Sequence, residues 1–202
     1  MRSRTMRFGA FLAAITITAT GLEAAAAPAP ARAERQDSDF TLSVFPVDAD
    51  EVHFRDSWGE RRSGGRRHKG TDIVAERGSE ILAVADGVVT EMDYHYLSGF
   101  YLTIDHGNGA ETMYLHLNND HLGTDDGKGG VTTAYYPTLV IGTEVSAGEV
   151  VAYLGDSGNS ERTTPNTHFE IIIEGTKIDP YPLLEKVLEI EERALPQKLT
   201  AF

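Results

Sequence analysis

Three short segments of this 202-residue sequence carry side chains that together could hold and use a metal ion. Arg-His-Lys-Gly-Thr-Asp at 67–72 offers His68 and Asp72, and Asn-Thr-His-Phe-Glu at 166–170 offers His168. Two imidazoles and one carboxylate are a common protein complement for catalytic zinc, with one position left open for water. Tyr-Leu-His-Leu at 114–117 adds His116, a candidate proton-transfer group. The chain has no cysteine. Disulfides, thiolate ligands and cysteine nucleophiles are therefore excluded, and any metal must be held by His, Asp or Glu.

Those side chains need elements that aim them at one point. From Ile81 onward the pattern is of short β-type runs separated by Gly, Asn and Asp, clearest over 81–89, 100–105, 111–117, 149–154 and 168–174. Gly107-Asn108-Gly109 reads as a turn between two of them. In a strand, residues i and i+4 share a face, so His68 and Asp72 point the same way across a hydrogen-sized Gly70. The same parity places Asn166, His168 and Glu170 on one face. Over 111–117 it assigns Met113, Leu115 and Leu117 to an apolar face and Thr112, Tyr114 and His116 to the opposite one. No ligand spacing surrounds His106 and His121, which read as structural, and His53 and His95 read as surface residues. Residues 119–143 form a long polar insertion, expected as a lid or one wall of a groove. Leu183, Leu184, Val187 and Leu188 sit at helical spacing, which predicts a terminal amphipathic helix over 181–194.

The ends and the charge bound the setting. Arg2, Arg4 and Arg7 precede an apolar stretch from Phe8 to Leu22 and then small residues, which predicts a secretory signal and processing region at 1–33. That stretch is too short and polar for a membrane span, so none is expected after signal cleavage. A loose segment is expected at 34–44, a folded domain at 45–190 and a tail at 191–202. The formal charge is −13. Such acidity argues against general nucleic-acid binding and suits a secreted or cell-envelope protein. Arg61, Arg62, Arg66, Arg67 and Lys69 break the trend beside the first motif. They read either as a solvated basic loop or as a rim for the carboxylates of an acidic substrate.

With these residues in view, the sequence resembles the M23 family of zinc metallopeptidases, the lysostaphin-like and LytM-like peptidoglycan endopeptidases. The resemblance runs from about Phe45 to Ile178. It rests on Asp-Ser-Trp-Gly at 56–59, the 62–72 segment, Ala-Val-Ala-Asp-Gly-Val-Val at 83–89, Tyr-Leu-His-Leu at 114–117, Gly-Asp-Ser-Gly-Asn at 155–159 and Thr-His-Phe-Glu at 167–170. It implies a mainly β fold: a compact antiparallel β-sheet or sandwich domain of the duplicated hybrid motif type, with a short C-terminal helix. It also implies zinc (Zn2+) on His68, Asp72 and His168, catalytic help from His116, and peptidoglycan peptides as substrate. One position departs from the pattern. The first histidine of the family's H-x-H motif falls on Asn166, whose amide can donate a hydrogen bond to an oxyanion but cannot shuttle a proton near neutral pH. Two readings follow. One is a secreted zinc metalloendopeptidase that cuts cell-wall peptide bonds. The other is a weakened or inactive M23-like domain that binds peptidoglycan or regulates another hydrolase.

Overall fold

The computed structural model describes residues 40–194. The expected signal region lies outside the described residues, as do residues 195–202. Within them the glycine-bounded apolar runs form ten strands: β1 (Val47–Asp48), β2 (Thr71–Val74), β3 (Glu80–Leu82), β4 (Gly87–His95), β5 (Gly99–Asp105), β6 (Ala110–Leu117), β7 (Glu144–Val145), β8 (Val150–Tyr153), β9 (Asn166–Ile173) and β10 (Thr176–Ile178). Helix α1 (Val131–Ala134) is one turn long, and α2 (Tyr181–Ala194) closes the described chain. The fold is mainly β and antiparallel, as expected. A small sheet runs β1-β3-β8, and a larger one runs β10-β9-β6-β5-β4-β7, with β2 also paired to β9.

β9 organises the site. β6 pairs along one side of it, from Ala110↔Ile173 to Leu115↔His168. On the other side β2 covers its first half, from Thr71↔Phe169 to Val74↔Asn166. β10 covers its second half, from Ile178↔Ile171 to Thr176↔Ile173. Phe169, Ile171, Tyr114, Ile73, Leu102 and Ile104 are fully buried beneath this face, and α2 contributes Leu184 and Val187. Full burial of such side chains stabilises by about 1.5–3 kcal/mol each, so the core holds β9 in place.

Several expectations require correction. The apolar run 81–89 is not one strand. It breaks at 83–86, where Ala83 and Val84 are consecutively buried and so cannot keep strand alternation. Gly87 then lets β4 approach β5: a Cβ there would lie 2.6 Å from the Asp105 carbonyl oxygen. The segment expected to be loose is partly packed. Leu42 is buried, Ser43 N donates to Val84 O (2.8 Å), and Phe40 lies against His106. At the other end, Glu191 within α2 accepts a bond from Phe45 N (2.8 Å), so the helix passes the boundary expected at 190.

The insertion at 119–143 is also not a wall of the groove. Its second half buries Ala134, Tyr135 and Leu139, and the Tyr135 hydroxyl lies 2.9 and 2.8 Å from the Asp93 and Tyr101 carbonyls. None of its residues lines the groove described below. The expected turn at 107–109 is present, with three successive positive φ angles of 76°, 51° and 73°. Among the described residues no helix is long and apolar enough to cross a membrane.

Candidate metal centre

Backbone pairing builds the ribbon that presents His68. His68 N donates to Glu60 O (2.9 Å), Gly59 N to His68 O (2.9 Å) and Arg62 N to Arg66 O (3.0 Å). The ribbon turns over Ser63–Gly65, where Gly64 and Gly65 take φ of +71° and +76°, a region open to glycine at little cost. His68 thus enters just before β2 from this ribbon and is not itself a strand residue, unlike the parity argument supposed. The expected convergence with Asp72 still holds: His68 Nε2 lies 3.0 Å from Asp72 Oδ1. The need for a small residue at position 70 is concrete, because a Cβ there would meet His168 Nε2 at 2.5 Å and Phe169 O at 2.6 Å.

Asp72 and His168 face each other across β2 and β9, the spacing at which cross-strand side chains touch. His168 Nδ1 is 2.7 Å from Asp72 Oδ1 and 2.9 Å from His68 Nε2. Three ligand atoms therefore form a triangle with edges of 2.7, 2.9 and 3.0 Å. Zinc bonds to N and O of about 2.0–2.1 Å imply tetrahedral edges of roughly 3.3 Å, so the observed triangle is only slightly tighter.

The far nitrogen of each imidazole is also occupied, as metal-ligating histidines require. His68 Nδ1 donates to the Ser57 carbonyl (3.1 Å), with the Ser57 hydroxyl at 2.9 Å. His168 Nε2 donates to Glu170 Oε1 (3.1 Å). Both arrangements leave the inward nitrogen to offer its lone pair. The chemistry of the donor set and its supports fits zinc.

Electrostatics couple the group tightly. Burial pushes the Asp72 carboxyl up, but the adjoining His168 and His68 imidazoles outweigh it and hold it well below the usual carboxylate range. Burial lowers His168, and its bonds to Asp72 and Glu170 overcome that and raise it. Glu170 is buried as well, yet His168 and the Lys177 ammonium, 2.5 Å from Oε2, keep it ionised and lowered. Arg62 Nη2 takes the second oxygen of Asp72 at 2.5 Å.

His116 reaches the same groove by a different route from the one predicted. Tyr114 does not share its face: Tyr114 is buried against Phe169, and its hydroxyl accepts from Val84 N (3.2 Å). Strand pairing slips between Leu102↔Tyr114 and Phe100↔Leu117, and His116 is the extra residue, at φ +60°. This bulge returns Leu117 to the core and re-aims His116. Its Nδ1 donates to Ser157 O (2.9 Å), leaving Nε2 as the acceptor, and its ring centroid lies 6.4 Å from that of His168. Burial lowers its pKa.

Ser157 is itself fixed from behind. Arg77 clamps the adjacent Asp156 through both oxygens (2.5 and 2.9 Å) and also binds Asp120 and, at 3.2 Å, Asp125. These carboxylates cluster closely enough to suggest a second metal site, but the guanidinium already fills their centre.

Asn166 stands beside Asp72 and His116 in the adjoining part of the groove. Its Nδ2 donates to Ser160 Oγ (2.8 Å) and to Thr164 O (2.8 Å). Both amide hydrogens are thus engaged within the protein, so the expected donation to an oxyanion would require breaking one of them. His106 is structural as expected, between Asp86 O and Thr112 Oγ1 (both 2.8 Å). His121 pairs with Asp126 on an exposed loop, and exposed His53 lies 3.4 Å from Glu51. His95, expected only as a surface residue, lines the groove. Glu170 and Arg62 were legible as types but not as partners of the ligands. For Glu170 the shared parity with His168 was the signal.

Comparison with known proteins follows the same segments. A family model described as Peptidase family M23 matches residues 66–180. The chain is 31% identical over 142 residues to the murein hydrolase activator EnvC of Escherichia coli, covering 70% of this chain and 29% of that protein. It is 32% identical over 115 residues to the peptidoglycan DD-endopeptidase ShyC of Vibrio cholerae, covering 57% and 22%. The chain spans less than a third of the length of either relative. Among solved structures, a LytM from Ruminococcus gnavus superposes with a TM-score of 0.59 at 28% identity, covering 74% of this chain and 61% of that one.

Proposed function

We propose, from the premise that the chain belongs to peptidase family M23, that it is a zinc-dependent endopeptidase acting on peptidoglycan peptides outside the cytoplasm. The observation that carries this reading is the triangle of His68 Nε2, Asp72 Oδ1 and His168 Nδ1, with each imidazole oriented by an acceptor on its other nitrogen. These three residues would hold the metal. Zinc bound there supplies a Lewis acid for the scissile carbonyl and a nucleophilic water near neutral pH.

The remaining chemistry belongs to the chain. His116, with Nδ1–H fixed on Ser157 O, accepts a proton at Nε2 from the attacking water and returns it to the leaving amine. Its lowered pKa keeps it neutral, and so able to accept. Arg62 neutralises the outer oxygen of Asp72 and sits in the groove where negative charge develops on the substrate. Asn166 shapes the wall beside His116 and moves no proton.

A second reading has its own observation. The amide of Asn166 replaces an ionisable group and is tied to Ser160 and Thr164, and one relative carries the name of an activator of murein hydrolases. On that reading the centre binds cell-wall material, or regulates another hydrolase, without turnover.

Muropeptide release from purified peptidoglycan separates the two. The zinc-loaded protein is assayed with and without a chelator, beside Asn166→His. Release by the natural chain that stops on chelation supports the peptidase. Release only by the Asn166→His variant supports the regulator, and release unaffected by both chelation and His68→Ala rejects the metal centre.

A further inference from the structure

The groove over the candidate centre is lopsided in charge. It measures about 450 Å³ and runs past His68, His116 and His168. One wall is the ribbon that carries Arg62, Arg66, Arg67 and Lys69. The facing side is neutral: Leu97, Ser98 and Asn159, continued by Ser160, Thr163 and Thr164. The acids that line the groove are already matched, Asp72 by Arg62 and the two histidines, and Glu170 by His168 and Lys177.

The cations of the ribbon are not matched. Arg66 bonds only the Ser63 carbonyl and hydroxyl, Arg67 the Gly59 carbonyl, and Lys69 is exposed, so among the described residues none of the three has a carboxylate partner. Crowding like charges along one wall disfavours the folded state unless something anionic is to be met there. With a formal net charge of −13, the chain as a whole disfavours such a ligand, so a local run of unpaired cations stands out as the place to receive it. Guanidinium forks match planar carboxylates, and this wall lines the same groove as the candidate metal ligands.

We propose that Arg66, Arg67 and Lys69 bind free carboxylates of the peptide flanking the scissile bond, so that the groove selects anionic peptides over amidated or polyglycine ones. This specificity rests on the peptide-binding part of the proposed function and is tested apart from turnover.

The probes are an acidic cell-wall tetrapeptide and the same peptide with its carboxyls amidated. Their binding to the zinc-loaded protein is measured by calorimetry at low and at raised salt, with hydrolysis followed in parallel. Two or three exposed ion pairs predict about tenfold tighter binding of the acidic peptide, shrinking as salt rises. The Arg66→Gln/Lys69→Gln variant, which leaves Arg67 alone on the wall, brings the ratio down to about twofold. Lys128→Gln/Lys186→Gln, which removes as much charge away from the groove, leaves the ratio intact. Equal binding of the two peptides, or a preference undiminished by Arg66→Gln/Lys69→Gln, overturns the proposal. Equal cleavage of both peptides removes the selective wall and keeps the peptidase. Selective binding without cleavage keeps the wall and removes the peptidase.

Discussion

Replacing Glu170 by glutamine would test whether the site is set by what lies behind its ligands. One oxygen of the buried carboxylate accepts from His168 Nε2–H at 3.1 Å, and the other is ion-paired with the Lys177 ammonium 2.5 Å away. Glutamine has a single acceptor oxygen. If that oxygen faces Lys177, the amide NH2 faces His168 Nε2, which must then carry the lone pair. The imidazole proton moves to Nδ1, the atom that faces Asp72 and His68, and a ligand is lost. If the oxygen faces His168, the NH2 meets the ammonium. Substitutions behind a metal-binding histidine usually reduce affinity about 10–100-fold, equivalent to about 1.4–2.7 kcal/mol, and the competition with Lys177 places Glu170→Gln toward the upper end.

The competition also predicts a rescue. Glu170→Gln/Lys177→Met frees the amide oxygen for His168 and regains most of the lost affinity. Zinc titration against a competing chelator reads the affinities, nitrogen chemical shifts of His168 read the tautomer, and thermal melting verifies that each variant is folded. An affinity within about threefold of the natural chain for Glu170→Gln, or a double variant no tighter than the single one, would refute the reasoning, because ordinary second-layer losses are larger.

Burial lowers the pKa of His116, so the acid limb of kcat/KM should fall below pH 6.5, and His116→Ala should reduce kcat by about 10²–10⁴-fold in a muropeptide assay. The same shift means the unfolded chain binds this proton more readily. The contribution of His116 to stability is therefore complete above about pH 6.5 and is lost as pH falls below it, which chemical denaturation at several pH values would show. Tyr114→Phe removes only the hydroxyl that accepts from Val84 N. It should cost about 0.5–1.5 kcal/mol in urea unfolding and leave zinc affinity unchanged, whereas a role for this hydroxyl beside the metal would show as lost affinity. Arg77→Met leaves the buried carboxylates of Asp120 and Asp156 without their cation. A loss of about 3–5 kcal/mol is expected on unfolding, together with slower turnover as the Ser157 carbonyl loosens from His116.

The candidate ligands stood out by residue type and spacing: His68 and Asp72 lie four residues apart around a glycine, and His168 alternates with Glu170 along β9. The family resemblance supplied the role of His116 and the importance of position 166. What could not be read along one strand was whatever depends on two. The bulge at His116 exists only in the pairing of β5 with β6, so simple alternation sent Tyr114 to the wrong side. The insertion read as a lid or groove wall because its glycines and aspartates show no apolar pattern that would anchor it. Its anchors, Arg77 on Asp120 and the Tyr135 hydroxyl at the Asp93 and Tyr101 carbonyls, come from distant segments. Arg62 could be counted among the basic residues, but its contact with Asp72 needs the ribbon to fold back over β2.

The two sides of the centre differ in how deeply the sheet holds them. His168 sits on β9, which has hydrogen-bonded neighbours on both flanks, whereas Asp72 sits on the four-residue β2 and His68 on the ribbon leading into it. Amide exchange in β9 should therefore track global unfolding, while β2 can detach by a local opening that leaves the rest of the ladder intact. On the proposed zinc reading, exchange of the ion would follow the breathing of β2, and the protein would lose metal and keep its sheet.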